Sequence, residues 1–192
     1  MLSKIKQLRE QTGVSMMECK KALEESGGDI EKACFILKKI SLKTAEKKSE
    51  REVGAGIIES YIHGNGKIGV LVDLRSETDF VAKNSTFKEL AHNIAMQIAA
   101  LNAKFISKED ISPEIKDEIE TAFRKDIESM NKPPEIVQKI VAGKVDAVLK
   151  EQVLLEQRFV KNPNITISDL LKEAVQRFGE NIKIARFVRF EI

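Results

Sequence analysis

Residues 54–74 read Gly-Ala-Gly-Ile-Ile-Glu-Ser-Tyr-Ile-His-Gly-Asn-Gly-Lys-Ile-Gly-Val-Leu-Val-Asp-Leu. Two runs with strand composition, 54–63 and 67–74, flank Gly64-Asn65-Gly66, and glycine and asparagine accept the positive φ of a hairpin turn. The stretch therefore predicts a β-hairpin. A third strand is predicted at 181–192, where apolar and charged residues alternate with one break at Arg186-Phe187. Because it is the last element, we expect it to pair with the hairpin.

Four stretches between the hairpin and the last strand carry apolar residues at helical spacing. They predict helices at 85–104, about 113–130, about 134–158 and 168–178. The hydroxyls of Ser85 and Ser168 are expected to cap the first and last of them, and Gly179 is expected to end the last. Gly143 interrupts the third and predicts a bend or a close contact. Strands followed by helices and one final strand indicate an α+β fold.

Residues 1–40 predict a compact unit of three short helices. The first ends at Thr12-Gly13, the second opens with a capping box at Ser15 and Glu18, and the third begins after Asp29. Residues 41–52 are rich in charge and lack a sustained apolar stripe, so they predict a linker, in either extended or helical form. The predicted organisation is a module at 1–40, a linker at 41–52 and an α+β core at 53–192.

Composition excludes several classes of function. The chain has 192 residues, and 42% of them are hydrophobic, which is enough for a packed core. Its 32 basic and 30 acidic residues nearly cancel to a net charge of +2, so no overall field draws it to nucleic acid and no direct nucleic-acid partner is predicted. No apolar run approaches the roughly 18 residues of a membrane span, and the N-terminus lacks a signal-peptide core. We therefore expect no membrane partner and a cytoplasmic location.

Side chains suited to catalysis or cofactor binding are not grouped in the sequence. Cys19 and Cys34 occupy core-like helical positions, which favours small buried hydrophobes over the alternatives of a disulfide or a metal site. His63 and His92 lack any metal-ligand spacing, and Gly54-Ala55-Gly56 lacks the rest of a phosphate-binding loop. No metal, no cofactor and no enzymatic activity are predicted.

Residues 77–84, Glu-Thr-Asp-Phe-Val-Ala-Lys-Asn, join a predicted strand to a predicted helix. Asp79 and Phe80 therefore lie on a short connection held by regular elements at both ends, where binding residues are common. A structural alternative stays open from these residues alone. In it, Phe80 plugs the core and Asp79 is a carboxylate favoured by the start of a helix.

Three long motifs occur in the order found in the elongation factor Ts family. Residues 8–23 with 28–33 closely resemble the N-terminal module of that family, whose fold is ubiquitin-associated-like. Residues 77–84 resemble its core signature, and residues 154–160 with 186–190 resemble its C-terminal motifs. Ordered long motifs are far more specific than one short pattern. The resemblance implies a three-helix ubiquitin-associated-like module followed by a three-stranded antiparallel sheet with packed helices.

The resemblance also implies a function and a partner. Members of the family act as guanine-nucleotide exchange factors that bind elongation factor Tu, both GDP-bound and nucleotide-free, and promote GDP release during translation elongation. The segment that dislodges the partner's magnesium corresponds here to Thr78, Asp79, Phe80 and Val81. A second contact, in the N-terminal module, corresponds to Arg9, Thr12, Gly13, Met16, Lys20 and Lys21. Within that second contact, Met17, Cys19 and Leu23 are candidates for the core of the module instead.

Length raises two alternatives. Longer members of the family carry a second core subdomain and a helical hairpin insertion, for which this chain is too short. Short members make up the missing half by dimerising, so the resemblance implies a homodimer. The competing hypothesis for function is a ubiquitin-associated-like adaptor or scaffold without exchange activity.

Overall fold

A computed structural model describes residues 1–128 and 134–192. The first three helices are α1 (Leu2–Thr12), α2 (Met16–Glu25) and α3 (Ile30–Lys48). Gly13 ends α1 with φ 68°, the Ser15 hydroxyl accepts the Glu18 N–H at the start of α2, and Asp29 caps α3. The predicted three-helix module is confirmed, and its apolar stripes meet in one core formed by Ile5, Leu8, Val14, Cys19, Ala22, Leu23, Ala33 and Leu37.

Helix α3 continues beyond the predicted module. It runs to Lys48, so residues 41–48 of the predicted linker are helical, and Ser41 is buried. Its hydroxyl donates to the Lys38 carbonyl one turn earlier, at 2.7 Å. The division into a module, a linker and a core at residues 40 and 52 stays a prediction.

Both cysteines are free thiols packed in the module. Cys19 is buried and Cys34 is half-buried, and burial is the main cause that raises the pKa of each thiol above its ordinary value. Among the residues that the structure describes, no group of three or more His, Cys, Asp and Glu side chains could hold a metal ion. The cysteines therefore pack as small hydrophobes.

The main sheet is antiparallel and has three strands. The described residues contain the strands β1 (Ala55–Ile62), β2 (Ile68–Ser76), β3 (Arg158–Phe159), β4 (Asn162–Thr166) and β5 (Ile182–Glu191). The sheet has the order β1-β2-β5, and the hairpin closes where the His63 N–H donates to the Ile68 carbonyl at 2.9 Å. The predicted hairpin and the pairing of the last strand are confirmed. The antiparallel pair β3-β4 was not predicted.

In the part of the chain that the structure describes, five further helices follow the hairpin. None of the described helices is long and apolar enough to span a membrane. The five helices are α4 (Asp79–Ala82), α5 (Ser85–Leu101), α6 (Pro113–Glu128), α7 (Pro134–Gln152) and α8 (Ile167–Phe178), with short 3-10 helices at Lys108–Asp110 and Leu154–Glu156. The α+β prediction is confirmed. Residues 129 and 130, at the end of the predicted 113–130 helix, lie outside the described residues.

Several predicted helix ends and caps are wrong. The cap of α5 is Asn84, whose side-chain oxygen accepts the Thr86 N–H at 2.8 Å, and not Ser85. Helix α5 ends at Leu101 because Asn102 adopts a left-handed φ of 50°, a conformation that asparagine tolerates. Helix α8 starts at Ile167, so Ser168 lies inside its first turn.

Helix α7 ends six residues before the predicted boundary at 158. The carbonyl of Gln152 accepts the N–H groups of Lys104 and Phe105, at 2.9 and 3.2 Å, and the Leu154 N–H donates to the Phe105 carbonyl. Pairing with the 104–106 segment therefore replaces the next helical turn. The helix is continuous through Gly143, where an added Cβ would have no neighbour within 4 Å, so the predicted close contact there is wrong.

The chain divides into two compact units. One comprises Met1–Ser60, Leu71–Asn93 and Ser168–Phe187, and the other comprises Tyr61–Val70, Ile94–Ile167 and Val188–Ile192. In the first unit, the buried ring of Phe87 packs edge-on against Phe178, with ring centroids 6.0 Å apart. In the second, Ile115 near the start of α6 shares a cluster with Leu149 near the end of α7, so the two helices form an antiparallel hairpin.

Candidate functional site

The connection between β2 and α5 forms one helical turn, α4. The Thr78 carbonyl accepts the Ala82 N–H at 3.2 Å, and the Asp79 carbonyl accepts the Lys83 N–H at 3.0 Å. Val81 and Ala82 are only 8% and 4% exposed, so one side of this turn is packed into the protein. The turn is thereby fixed against the core on the side of Val81, whose side chain faces the interior, and the predicted role of the 78–81 segment stays a prediction.

Phe80 lies on the opposite side of α4 and projects into solvent. Its side chain is 89% exposed, the largest value for a phenylalanine among the described residues. The structural alternative in which Phe80 plugs the core is therefore wrong. Asp79 is also exposed, and its carboxylate lies 3.7 Å from the Lys83 ammonium, in the first turn of the helix where a negative charge is favoured. The result is an exposed acidic and aromatic pair on a short helix with a buried base.

The start of α4 is held by a residue that is distant in sequence. The Thr78 N–H donates to Glu180 Oε2 at 3.0 Å, and the Thr78 hydroxyl donates to Glu180 Oε1 at 2.5 Å. The Ser76 hydroxyl donates to the Thr78 carbonyl at 3.0 Å. All three polar groups of Thr78 are therefore engaged within the chain.

The residue before Thr78 is held in a similar way. Glu77 Oε1 accepts the Asn181 N–H at 2.6 Å, and the Arg51 guanidinium lies 3.4 Å from Glu77 Oε2. The Asn181 side-chain amide donates to the carbonyls of Ser49 and Arg51, at 3.3 and 2.7 Å. Sequence reasoning missed Glu180 and Asn181, because they lie about a hundred positions from Thr78 and belong to no motif that carries a known chemistry.

The predicted second contact lies around the turn between α1 and α2. Arg9 and Gly13 are exposed, as are Lys20 and Lys21 on α2, where Lys20 lies 3.7 Å from Glu24. Met16 is half-buried against the core of the module, whereas Met17 is 67% exposed. The prediction that Met17 belongs to the core is wrong, and Met17 is a surface candidate that the sequence analysis set aside.

Thr12 and Gly13 make contacts inside the chain as well. The Thr12 hydroxyl donates to the Leu8 carbonyl at 2.7 Å, and the Thr12 carbonyl accepts from Arg177 Nη2 at 3.3 Å. The Arg177 side chain lies so close to Gly13 that a Cβ there would be 2.4 Å from its Nε. These contacts connect the end of α1 to α8 within the first unit, and they engage the Thr12 carbonyl and hydroxyl.

Comparison with known proteins shows one family whose sequence pattern includes both the turn at Phe80 and the turn between α1 and α2. A family model described as Elongation factor TS matches residues 2–192. Elongation factor Ts of Thermodesulfovibrio yellowstonii is 52% identical over 188 residues, which cover 98% of this chain and 94% of that protein. Elongation factor Ts of Coprothermobacter proteolyticus is 50% identical over 190 residues, which cover 99% of this chain and 96% of that protein. Elongation factor Ts of Carboxydothermus hydrogenoformans is 49% identical over 188 residues, covering 98% and 87% respectively. The similarity thus extends over the helical module, the sheet and the exposed turn at Phe80.

Proposed function

The chain belongs to the elongation factor Ts family, whose members are translation elongation factors, and from this premise we propose that it is a guanine-nucleotide exchange factor for elongation factor Tu. In this proposal it binds the GDP-bound and the nucleotide-free partner and promotes GDP release without a covalent step. The residues that carry the activity are Thr78, Asp79 and Phe80, with Val81 as the buried support beneath them.

The exposure of Phe80 carries the proposal. A large aromatic side chain that is 89% exposed buries little apolar area in the free protein and is free to bury that area against a partner, where aromatic residues contribute most to binding. Val81 and Ala82 are buried beside it, which limits the freedom of the ring's backbone before binding. Fixing a contact residue in advance lowers the entropy cost of association. Phe80 therefore has the properties of an aromatic wedge.

Exchange by such a wedge follows from thermodynamic linkage. If the wedge fits only an open form of the partner's nucleotide-binding domain, binding shifts the partner towards that form. A factor that prefers the nucleotide-free partner must weaken GDP binding by the same ratio. Magnesium joins the phosphates to the partner's side chains, so a displacement of its ligands removes a large electrostatic attraction. Because GTP binding is weakened too, the nucleotide in excess sets the direction of exchange.

The turn between α1 and α2 is proposed as the second contact. Exposed Arg9, Lys20 and Lys21 provide positive charge, and exposed Met17 provides a flexible apolar side chain. Met16 is half-buried against the core of the module, so in this proposal it supports the contact surface from below. Binding at two places on one chain makes the second contact intramolecular and raises the overall affinity. The competing proposal, an adaptor without exchange activity, needs only this module.

The direct test is the release of a fluorescent GDP analogue from elongation factor Tu. With this protein in substoichiometric amount and excess unlabelled GDP, we expect release to become faster in proportion to the concentration of the factor. Equal rates with and without the protein would overturn the exchange function. Binding to elongation factor Tu without any change in the release rate would favour the adaptor instead.

We also propose a homodimer that pairs the exposed ends of the sheet strands. In the second unit, Ile62 of β1 and Val188 and Phe190 of β5 are 64%, 41% and 67% exposed. Val188 and Phe190 are two positions apart on one strand, so they lie on the same face. Exposed apolar groups of this kind mark association surfaces. A second copy would cover them with an identical surface.

Replacing Phe190 with aspartate is expected to shift the protein towards the monomer, because a charge would be desolvated at the paired surface. Light scattering at micromolar concentration is expected to give twice the 21.6 kDa chain mass for the wild type and a lower mass for Phe190→Asp. The control Lys116→Asp places the same aspartate on the exposed side of α6, with an even larger change of net charge because a lysine is lost, and is expected to keep the wild-type mass. A monomeric wild type would contradict the dimer.

A further inference from the structure

The four-residue helix α4 is too short to be stable by itself. Forming a first helical turn fixes several backbone angles for very few hydrogen bonds, so isolated turns of this length do not persist. Within α4 and its flanks, the Ala82 and Lys83 N–H groups close the turn onto Thr78 and Asp79. The direction of Phe80 therefore depends on what holds Thr78, the residue at which the turn begins.

Glu180 holds Thr78 through both of its donors. One carboxylate oxygen accepts the backbone N–H at 3.0 Å and the other accepts the hydroxyl at 2.5 Å. Hydrogen bonds to an ionised carboxylate are stronger than those between neutral groups, and two of them on one residue fix its orientation as well as its position. Thr78 has extended backbone angles, φ −128° and ψ 156°, which differ from those of the turn that follows. The two bonds thus fix the point at which the chain changes direction.

Glu180 is itself placed by a buried neighbour. Asn181 is 3% exposed, its N–H donates to Glu77, and its side chain donates to the carbonyls of Ser49 and Arg51. These contacts fix residue 181 between the segment after α3 and the segment before α4. Glu180 directly precedes Asn181, so the backbone that carries the Glu180 side chain is fixed as well. The Glu180 carboxylate therefore reaches Thr78 from a fixed position.

We propose that Glu180 is a positioning residue for nucleotide exchange, which acts by fixing Thr78 and thereby the direction in which Phe80 projects. The proposal rests on the exchange function proposed above. Glu180 needs no contact with the partner in this role. Its loss leaves Phe80 exposed and chemically intact on a turn that is held at Val81 and Ala82 but no longer at Thr78. The start of the turn then gains freedom, and ordering it adds an entropy cost when the wedge binds.

The test measures the release of a fluorescent GDP analogue from elongation factor Tu with four variants at Thr78 and Glu180 and one control variant. Glu180→Ala is expected to slow the factor-stimulated rate by about tenfold, the size expected for losing hydrogen bonds to a charged group. Thr78→Val is expected to slow it by less, because it loses the hydroxyl bond and keeps the bond from the backbone N–H. The double variant is expected to be no slower than Glu180→Ala, because that change already removes both bonds to Thr78, including the hydroxyl bond that Thr78→Val removes. Glu180→Gln is expected to recover most of the rate, since its amide oxygen can accept the Thr78 N–H and its amide group can donate to the hydroxyl. Glu118→Ala, on the exposed side of α6, is the control and is expected to match the wild type.

The outcomes separate this inference from the exchange function. A wild type that accelerates release together with Glu180→Ala at the wild-type rate would overturn the positioning role and leave the exchange function standing. Strictly additive losses in the double variant would also overturn it. If the wild type itself fails to accelerate release, amide hydrogen exchange decides the positioning role. Faster exchange of the Thr78 and Ala82 amides in Glu180→Ala, but not in Glu118→Ala, would support it, and unchanged protection would overturn it.

Discussion

Phe80→Ala is expected to remove most of the acceleration of GDP release from elongation factor Tu. Truncating an aromatic side chain at the centre of an interface costs about 2 to 4 kcal/mol, which corresponds to a loss of about 30- to 700-fold in the second-order rate of stimulated release. The 89% exposure of the ring means that the variant loses almost no packing in the free protein. Its thermal unfolding midpoint is therefore expected to stay at the wild-type value. Stopped-flow release of the fluorescent analogue measures the first effect, and circular dichroism during heating measures the second.

The matched control is Phe35→Ala. Phe35 lies on α3 and is 60% exposed, with the Lys39 ammonium 4.7 Å from its ring centroid, so it is also an exposed aromatic side chain in the first unit. It lies outside both proposed contacts, and its loss is expected to leave the release rate unchanged. A Phe80→Ala variant as active as the wild type would show that the wedge assignment is wrong. Equal losses in both variants would indicate a general effect of removing exposed aromatic residues.

Local sequence was sufficient for the elements whose signals are local. The turn Gly64-Asn65-Gly66 between two apolar runs predicted the hairpin, and the caps at Ser15 and Asp29 predicted the starts of α2 and α3. These signals lie within a few residues of the structure that they produce. For the same reason the α+β class could be predicted before any tertiary contact was known.

Elements set by distant contacts could not be predicted in this way. Helix α7 ends at Gln152 because the 104–106 segment takes its next hydrogen bonds, and no residue near 152 announces that contact. The pair β3-β4 has strands of two and five residues and includes Pro163, so neither strand shows a period of two long enough to detect.

The candidate site shows the same division. The motif at 77–84 predicted which side chains meet a partner, but only the structure shows that Val81 faces inward while Phe80 faces outward. The support from Glu180 and Asn181 depends on how the end of α8 and the start of β5 meet the end of β2. Sequence spacing carries no information on such a meeting. The candidate partner-contact motif was therefore visible in the sequence, whereas the residues that hold it in place were not.

Gly56→Ala is expected to destabilise the sheet strongly, because the added methyl group would meet the backbone of the neighbouring strand. Gly56 has φ +157°, and a Cβ there would lie 2.4 Å from the Leu74 carbonyl oxygen and 2.9 Å from the Arg75 Cα. Both obstacles are backbone atoms of β2, the central strand, which cannot retreat without breaking its pairing with β5. We expect a cost of about 2 to 4 kcal/mol from overpacking and backbone strain. Urea titration should show this loss, and the thermal midpoint is expected to fall by about 5 to 15 °C.

Gly54→Ala provides the matched control, because it adds the same methyl group two residues earlier. No atom lies within 4 Å of a Cβ at Gly54, and its φ is not in the left-handed region. Alanine also restricts the unfolded chain, so Gly54→Ala is expected to leave stability unchanged or to raise it by up to about 1 kcal/mol. The difference between the two variants therefore separates the contact with β2 and the backbone strain at Gly56 from the general effect of replacing glycine. Equal midpoints for both variants would mean that β1 can move away from β2 at Gly56. Strand β2 ends at Ser76, two residues before Thr78. A loss of stability in Gly56→Ala would therefore also show that the strand before the exposed turn depends on its close contact with β1.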